Sequence, residues 1–389
     1  MKYDFDQVID RRHSGSIKWD CQERELPMWV ADMDFPIAPE IEKAILQRAS
    51  HPLYGYTDVN GDWYEAYLSF YQERHHLALK KEWLTFSTGV IPTISSTVRK
   101  LTKAGDNVVV LTPVYNIFFN SIVNNQRTIL DVPLSFDGNT YSIDFKALEK
   151  ALSLEKTTLL LLCNPANPVG RIWNKEELEE VGRLCAKYHV TVLSDEIHGE
   201  ITSPGKKYTP FIAVNETNRD ISVTAVSVTK CFNLASLQTS AMIIPNEKIR
   251  AQVVRQLNTD ECAEPNAFAI PVSIAALNQG REWLDEMNVY VENNRQFARS
   301  FIEENLPMLH LIPQEATYLL WLDISKISKD SKAFCDNLRK TTGLWITPGS
   351  VYGPSGEGFV RINIACPRVT LEDGLHRLQE GVISFLKKQ

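Results

Sequence analysis

Between residues 85 and 245 the sequence alternates short apolar runs with longer stretches of mixed polarity. The runs lie at residues 107–111, 157–163, 190–194 and 222–228, with a further one at 239–244. The first four are apolar on both faces, as expected for strands buried in a parallel sheet. This alternation is typical of βαβ units. We therefore predict an α/β fold with a mostly parallel sheet.

Two helices are predicted in this region, one between the second and third strands and one before the first. Asn174 and Glu177 form a capping-box pattern, and apolar residues follow them at helical spacing. A second helix should begin at Val90 or Ile91 and run to residue 103, ending at Gly105, where glycine can adopt the left-handed cap conformation. The first turn of this second helix therefore follows Gly89 directly.

The two chain ends differ from this central pattern. Residues 283–304 predict a long helix, followed by two strands and a closing helix at 371–387. The first forty residues contain three prolines and little periodicity, so we expect them to pack onto another part of the protein. We predict a large domain formed by residues 46–284 and a smaller α+β domain formed by residues 1–45 and 285–389.

Composition narrows the range of functions. The 389 residues are 44% hydrophobic, and their net charge of −7 disfavours nucleic acid as a partner. No stretch approaches the roughly 18 apolar residues of a membrane span. Residues 1–12 contain three Asp and no apolar core, so we expect no export signal there. Seven cysteines without a CxxC pair predict neither a zinc site nor a disulfide framework. We expect a cytoplasmic enzyme that acts on a small molecule and binds no metal.

Common nucleotide-binding and catalytic motifs are absent. The chain has no GxxxxGK[ST] sequence and no well-placed GxGxxG sequence. Ser350 stands one residue too early for the GxSxG motif of serine hydrolases. His75 and His76 are adjacent and should point in different directions, so we expect them on a solvated helix face rather than at a metal.

Polar residues follow three of the predicted strands, at the edge of the sheet where ligands bind in α/β folds. They are the segment 164–171, then Asp195 and Glu196, then Ser227 and Lys230. Asn167 precedes Asp195 by 28 residues, and Asp195 precedes Lys230 by 35. In this order and spacing they resemble the pyridoxal 5'-phosphate (PLP) enzymes of fold type I, which have the aspartate aminotransferase fold. The resemblance covers nearly the whole chain.

The resemblance implies a role for each of these residues. Lys230 would form a Schiff base with the PLP aldehyde and later carry the proton of the substrate Cα, as a strand-end amine can do. Asp195 would keep the pyridine nitrogen protonated, and Asn167 would donate to the ring phenolate oxygen. Tyr115 would stack on the ring, although it could instead be a core aromatic. His198 belongs to the matching segment 195–198 and is included among the cofactor-binding residues.

A phosphate-binding cup is also predicted. Gly89, Val90 and Ile91 would supply free backbone N–H groups and the positive end of a helix dipole. Ser227 would add a hydroxyl group. By the family pattern, Tyr56 of a neighbouring subunit would complete the cup and contact the substrate, which implies a homodimer with shared active sites.

One position departs from the family pattern. Many aminotransferases carry a phosphate-binding arginine eight residues after the lysine, whereas this chain has Gln238 there. The substitution weakens charge neutralisation at the phosphate and argues against the ordinary aminotransferase branch.

The substrate carboxylate calls for a guanidinium group. In residues 359–364 the apolar side chains alternate with Arg361 and Asn363. The family places its carboxylate-binding arginine in this C-terminal strand, so Arg361 is the candidate, with Tyr115 and Asn167 as further substrate contacts. A solvent-facing arginine is the alternative.

Residues 27–35 and 54–57 resemble the subgroup of cystathionine β-lyases and carbon–sulfur lyases represented by MalY and PatB. The implied reaction is α,β-elimination of L-cystathionine, L-cysteine or both, which releases a thiol or hydrogen sulfide with pyruvate and ammonia. Cys231 follows Lys230 directly, and we expect it to pack rather than carry sulfur. An aminotransferase remains an alternative, and a regulatory binding protein of the MalY type is a second one.

Overall fold

A computed structural model describes residues 1–387. Its strands, numbered in chain order, are β1 Leu26–Pro27, β2 Leu84–Ser87, β3 Asn107–Val110, β4 Thr128–Asp131, β5 Ser135–Phe136, β6 Tyr141–Ser142, β7 Thr157–Cys163, β8 Thr191–Asp195, β9 Ser222–Val226, β10 Ser240–Ile243, β11 His310–Leu311, β12 Leu319–Asp323, β13 Leu344–Trp345, β14 Thr347–Pro348 and β15 Phe359–Asn363.

The helices surround these strands. They are α1 Pro39–Ser50, α2 Gly61–His75, α3 Val90–Leu101, α4 Ile117–Val123, α5 Phe145–Leu152, α6 Lys175–Lys187, α7 Glu216–Asp220, α8 Val228–Cys231, α9 Glu247–Thr259, α10 Ala269–Gln279, α11 Arg281–Asn305, α12 Ser331–Thr342 and α13 Arg368–Leu386. Among residues 1–387, no helix is both long and apolar enough to cross a membrane.

The central feature is a seven-stranded sheet with the order β2-β10-β9-β8-β7-β3-β4. Strands β3, β4, β7, β8 and β9 pair in parallel, which confirms the predicted α/β fold with a mostly parallel sheet. The run at 239–244 contains β10, which is antiparallel to both of its neighbours. Strand β2 was not among the predicted strands, because four residues that include threonine and serine carry too little apolar pattern.

The predicted crossover helix is α6, and its N-terminus has the expected capping box between Asn174 and Glu177. Helix α3 begins at Val90 as predicted and ends at Leu101, two residues before the predicted end. There the Thr102 hydroxyl group donates to the carbonyl oxygen of Val98, which satisfies one of the last helical acceptors.

A second, four-stranded antiparallel sheet has the order β11-β12-β15-β14, with more strands than the two predicted. Beside it, β1 pairs in parallel with β13. The N–H group of Asn363 donates to the carbonyl oxygen of Met28, which extends this contact to β15. The N-terminal segment therefore packs against the C-terminal part of the chain, as its lack of periodicity led us to expect.

A buried charge cluster fixes the N-terminal segment. Lys18 is only 1% exposed, and its Nζ lies 2.7 Å from Asp34 and 3.5 Å from Asp32. Arg11 contacts the same two carboxylates at 2.7 and 2.9 Å, and the Trp19 indole donates to Asp34. Two cations and two anions thus balance one another, so the segment that leads to Ala31 is held in one position.

Asp34→Ala is expected to destabilise the protein by roughly 3–5 kcal/mol, because it leaves the buried Lys18 and the Trp19 indole without their main partner. Urea unfolding measures the change. Asp336→Ala is the matched control, since it breaks an ion pair with Lys332 that is exposed to solvent and should leave the unfolding midpoint unchanged. Equal midpoints for the two variants would contradict the role given to the cluster.

Candidate active site

A cavity of about 280 Å³ lies at the carboxyl ends of the central strands. It lies where the loops after β2, β3, β7, β8 and β9 meet, because parallel strands end at the same edge of a sheet. Most of the predicted cofactor-binding residues line it, namely Gly89, Val90, Ile91, Tyr115, Asn167, Asp195, His198 and Lys230. Eight residues that were predicted to bind the cofactor from separate parts of the sequence therefore line one cavity.

Lys230 lies in the single turn of α8, and its Nζ donates to the carbonyl oxygen of Ala31 at 2.5 Å. Burial lowers the pKa of this amine to about 8, with the nearby carboxylates of Asp32 and Asp195 opposing the shift. A lysine with such a pKa has a neutral amine available near pH 8, so it can act as a nucleophile or a base.

Asp195 ends β8 and is 4% exposed. Its carboxylate accepts one hydrogen bond, from the backbone N–H of Ile197 at 3.1 Å. Burial raises its pKa to about 7, because one backbone donor does not replace the lost hydration. A cation in the cavity would give this carboxylate its missing partner.

His198 lies beside Asp195 in the cavity wall and is 3% exposed. Burial, with the positive charges of Lys230 and Arg361, lowers its pKa to about 3, so the ring is neutral. Its Nδ1 is buried and has no hydrogen-bond partner within residues 1–387. An unpartnered ring nitrogen of this kind is available for a polar group of a bound molecule.

The opposite end of the cavity is formed by the start of α3. Gly89 has a φ of 155°, which favours glycine, and the side-chain atom nearest to the position of a Cβ there is Pro92 Cδ, at 3.4 Å. Free N–H groups at the first turn can bind an anion. Lys230 carries the only positive charge among the cavity-lining residues of the described chain, and Gln238 is a neutral neighbour.

Two predicted phosphate ligands, Ser227 and Tyr56, are not among the residues that line this cavity. The Ser227 hydroxyl group donates to the carbonyl oxygen of Thr239 and accepts from the N–H of Thr229, so it caps α8 and is absent from the cavity lining. Tyr56 is fully exposed and borders a separate surface cavity. Their predicted contacts with a phosphate stay predictions.

Arg361 faces inward from β15 and is 5% exposed, so the solvent-facing alternative is wrong. Its Nη1 donates to Asn167 Oδ1 at 3.2 Å and its Nη2 to the carbonyl oxygen of Trp29 at 3.0 Å. The guanidinium group lies 4.9 Å from the ring centre of Tyr352. No carboxylate within residues 1–387 forms an ion pair with it, and its Nε has no partner. A buried cation without an anion favours binding of a carboxylate.

Two neighbours of the site carried no sequence signal, because Tyr318 and Tyr352 approach through contacts between distant segments. The Ala31 carbonyl group, in contrast, belongs to the lyase-like segment 27–35. His75 is also different from its prediction, because it is largely buried against Tyr208 and its Nε2 lies 2.6 Å from Glu200. Cys231 is buried, in agreement with a packing role. Residues 1–387 hold no cluster of three or more possible metal ligands.

Comparison with known proteins now identifies the family. A model of the family "Aminotransferase class I and II" matches residues 28–378. The chain belongs to this family. The resemblance inferred from the strand-end motifs is thereby confirmed.

Two curated relatives are similar over nearly their whole length. The chain is 40% identical to "Cystathionine beta-lyase PatB" of Bacillus subtilis, covering 97% of this chain and 99% of the relative. It is 32% identical to "Protein MalY" of Escherichia coli, covering 98% and 99%. Among solved structures, cystalysin from Treponema denticola, which contains PLP, superposes with a TM-score of 0.95 at 30% identity over 99% of this chain and 100% of that one.

The cavity has the donors and acceptors that PLP requires. Asp195 lacks a cationic partner, His198 has an unpartnered ring nitrogen, and the start of α3 offers free N–H groups directly after Gly89. Lys230 lies between these groups with a reactive amine. The residues therefore fit the aldehyde, pyridine and phosphate groups of this cofactor.

Arg361→Met is expected to remove the anion-binding group without destabilising the protein, because an apolar chain of similar length replaces a buried cation that has no carboxylate partner. The KM for an amino acid substrate should rise by roughly 100-fold or more, while the midpoint of urea unfolding stays equal or rises. Arg295→Met is the control, because Arg295 is buried beside Glu292 and its loss should lower the midpoint. A similar fall in both variants would assign Arg361 a structural role.

Proposed function

We propose that the protein is a PLP-dependent carbon–sulfur β-lyase that removes a thiol from Cβ of an L-amino acid such as L-cystathionine or L-cysteine. The observation that carries this proposal is the placement of Lys230, Asp195 and Arg361 around one site. They supply a reactive amine, an anion without a cation and a cation without an anion. These are the partners of the cofactor aldehyde, the pyridine nitrogen and the substrate carboxylate.

Each residue has a defined task in this reaction. Arg361 binds the substrate carboxylate, and Asn167, whose Oδ1 already accepts from Arg361, connects that contact to the cofactor ring. When bound, PLP supplies an electron sink for the electron pair left at Cα. Asp195 retains its negative charge beside the pyridine nitrogen, which offsets the cost of its own burial.

Proton transfer is the task of Lys230. Its neutral amine accepts the Cα proton. The electron pair left at Cα then forms the Cα=Cβ double bond, while the electrons of the broken Cβ–S bond leave with the sulfur, which takes up a proton as the thiol. Hydrolysis of the remaining unsaturated amine gives pyruvate and ammonia, so one substrate and one water yield three products. No 2-oxo acid is consumed, which separates this reaction from transamination.

Two further observations support a lyase over an aminotransferase. The N-terminal segment with the lyase-like motif contacts the reactive groups directly, through the carbonyl oxygens of Trp29 and Ala31. Gln238 stands where many aminotransferases have an arginine. No observation favours the regulatory binding role, which stays an alternative.

Purified protein loaded with PLP is expected to form pyruvate, ammonia and homocysteine from L-cystathionine without any added 2-oxo acid. Lys230→Ala should lower kcat by roughly 1000-fold or more, because it removes the base and the covalent link to the cofactor. Coupled pyruvate detection and a thiol reagent measure the two products. Turnover that depends on a 2-oxo acid would instead assign the aminotransferase function.

The same proposal includes a homodimer with shared sites. Exposed Tyr56 and Tyr54 border an apolar surface cavity of about 980 Å³ with Leu237 and Phe268. Gln238 lines both this cavity and the active-site cavity, so a partner chain seated there would reach the phosphate end. The proposal also includes the large and small domains at the predicted limits. It further includes a cytoplasmic location, with which the seven free cysteines are consistent.

Heterodimers of Lys230→Ala and Tyr56→Ala chains are expected to regain activity that each homodimer lacks, because one of the two sites then receives both native residues. Chains with different affinity tags allow the heterodimer to be purified from co-expressing cells, and kcat per dimer measures the recovery. Heterodimers of Lys230→Ala with Lys230→Ala carrying the second tag are the control. A heterodimer as inactive as both parents would contradict shared sites.

A further inference from the structure

The carbonyl oxygen of Ala31 accepts hydrogen bonds from two side chains. Lys230 Nζ donates to it at 2.5 Å, and the hydroxyl group of Tyr318 donates to it at 3.0 Å. A carbonyl oxygen has two lone pairs, so these two donors use its full capacity. The lysine of the proposed reaction and the tyrosine directly before β12 therefore share one acceptor.

Tyr318 is held firmly in this position. It is fully buried, and the N–H of Ile364 donates to its carbonyl oxygen at 2.9 Å. Its ring meets the ring of His198 edge-on, at 6.0 Å between centres. Burial raises the pKa of its hydroxyl group, so the group remains a neutral donor throughout the pH range of enzyme assays.

The acceptor is held equally firmly from the other side. Asn363 Nδ2 donates to the carbonyl oxygens of Val30 and Asp32, which flank Ala31. The Asp32 side chain is anchored by Arg11 and Lys18. Because neither Ala31 nor Tyr318 can easily move, their hydrogen bond fixes the position of the oxygen to which the Lys230 amine donates.

We propose that Tyr318 is a positioning residue for Lys230. It holds the Ala31 carbonyl oxygen in place and occupies part of the hydrogen-bonding capacity of that oxygen. The lysine amine is thereby kept beside the substrate as a neutral base. This rests on the proposed function, in which Lys230 takes the Cα proton. Tyr318 does not touch the reacting atoms and acts through Ala31 alone.

The physical basis is competition for the acceptor. An ammonium group binds a carbonyl oxygen more strongly than a neutral amine does, so an unshared Ala31 carbonyl would favour protonated Lys230. The Tyr318 hydroxyl group reduces this preference for the protonated form, so it lowers the pKa of Lys230 as burial does. Its removal should raise the pKa of Lys230 and lower the neutral fraction at a given pH. The charged and titratable groups that face Lys230 or Tyr318 are Asp32, Tyr115, Asp195, His198, Cys231 and Arg361.

Tyr318→Phe tests the proposal because it removes only the hydroxyl group. Apoenzyme is mixed with PLP across a pH series, trapped with borohydride after a fixed short time, and the labelled Lys230 peptide is quantified by mass spectrometry. The pH midpoint of trapping should move upward by about half a unit to one unit, the size expected for loss of one hydrogen bond near a charge. In the PLP-loaded enzyme, the pH at which kcat falls on the acid side of its pH profile should rise by the same amount, with little change in KM.

Tyr67→Phe is the matched control, because the Tyr67 hydroxyl group is buried without a partner within residues 1–387. The pH midpoint of trapping in this variant should equal that of the native protein.

A second variant replaces Tyr318 by 3-fluorotyrosine, a stronger donor of the same shape, and should move the pH midpoint of trapping downward. This variant keeps the test valid if Tyr318→Phe does not fold.

Unchanged midpoints in the Tyr318 variants, or an equal shift in Tyr67→Phe, would overturn the proposal. The trapping measurement does not depend on the lyase reaction. A shifted midpoint in a protein that eliminates no thiol would therefore contradict the proposed function while supporting the role of Tyr318.

Discussion

Buried charges without an opposite partner are the constraint on which the rest of the structure depends. Removing an ionised side chain from water costs several kcal/mol unless another charge or several hydrogen bonds compensate. Asp195 has a single backbone donor and Arg361 has only neutral acceptors. The protein tolerates these groups because two sheets and the N-terminal segment hold each of them in place, and bound molecules are the natural compensation.

The N-terminal segment connects the parts of this arrangement. The four charges of its buried cluster balance one another, since Arg11 and Lys18 face Asp32 and Asp34. Its carbonyl oxygens, in contrast, face the groups that carry the proposed chemistry. Internal pairing of its side chains thus leaves its backbone acceptors free to receive the lysine amine and the guanidinium group.

Much of the fold and of the site could be predicted from local pattern. The strand at 157–163 and the capping box of α6 agree with the structure residue by residue, because burial on both faces and helix capping are local properties. The strand-end motifs also identified the cavity, since parallel strands bring their carboxyl ends together. Strand β2 and the direction of β10 could not be predicted, because they depend on pairing between distant segments. The same reason explains why Tyr318 was missed, and the domain limits stay a prediction.

The pairing of β1 with β13 has a consequence for how the protein is made. Leu26 pairs with Leu344, so this contact closes a loop that includes most of the chain. A ribosome releases the chain from its N-terminus, and the seven-stranded sheet is complete once Ile243 has emerged. Asn233, which holds the carbonyl oxygens of Met33 and Phe35, emerges before that point, whereas β13 is made about a hundred residues after it. One anchor of the N-terminal segment is therefore available with the sheet, and the pairing of β1 with β13 can follow only when the C-terminal part of the chain has been made.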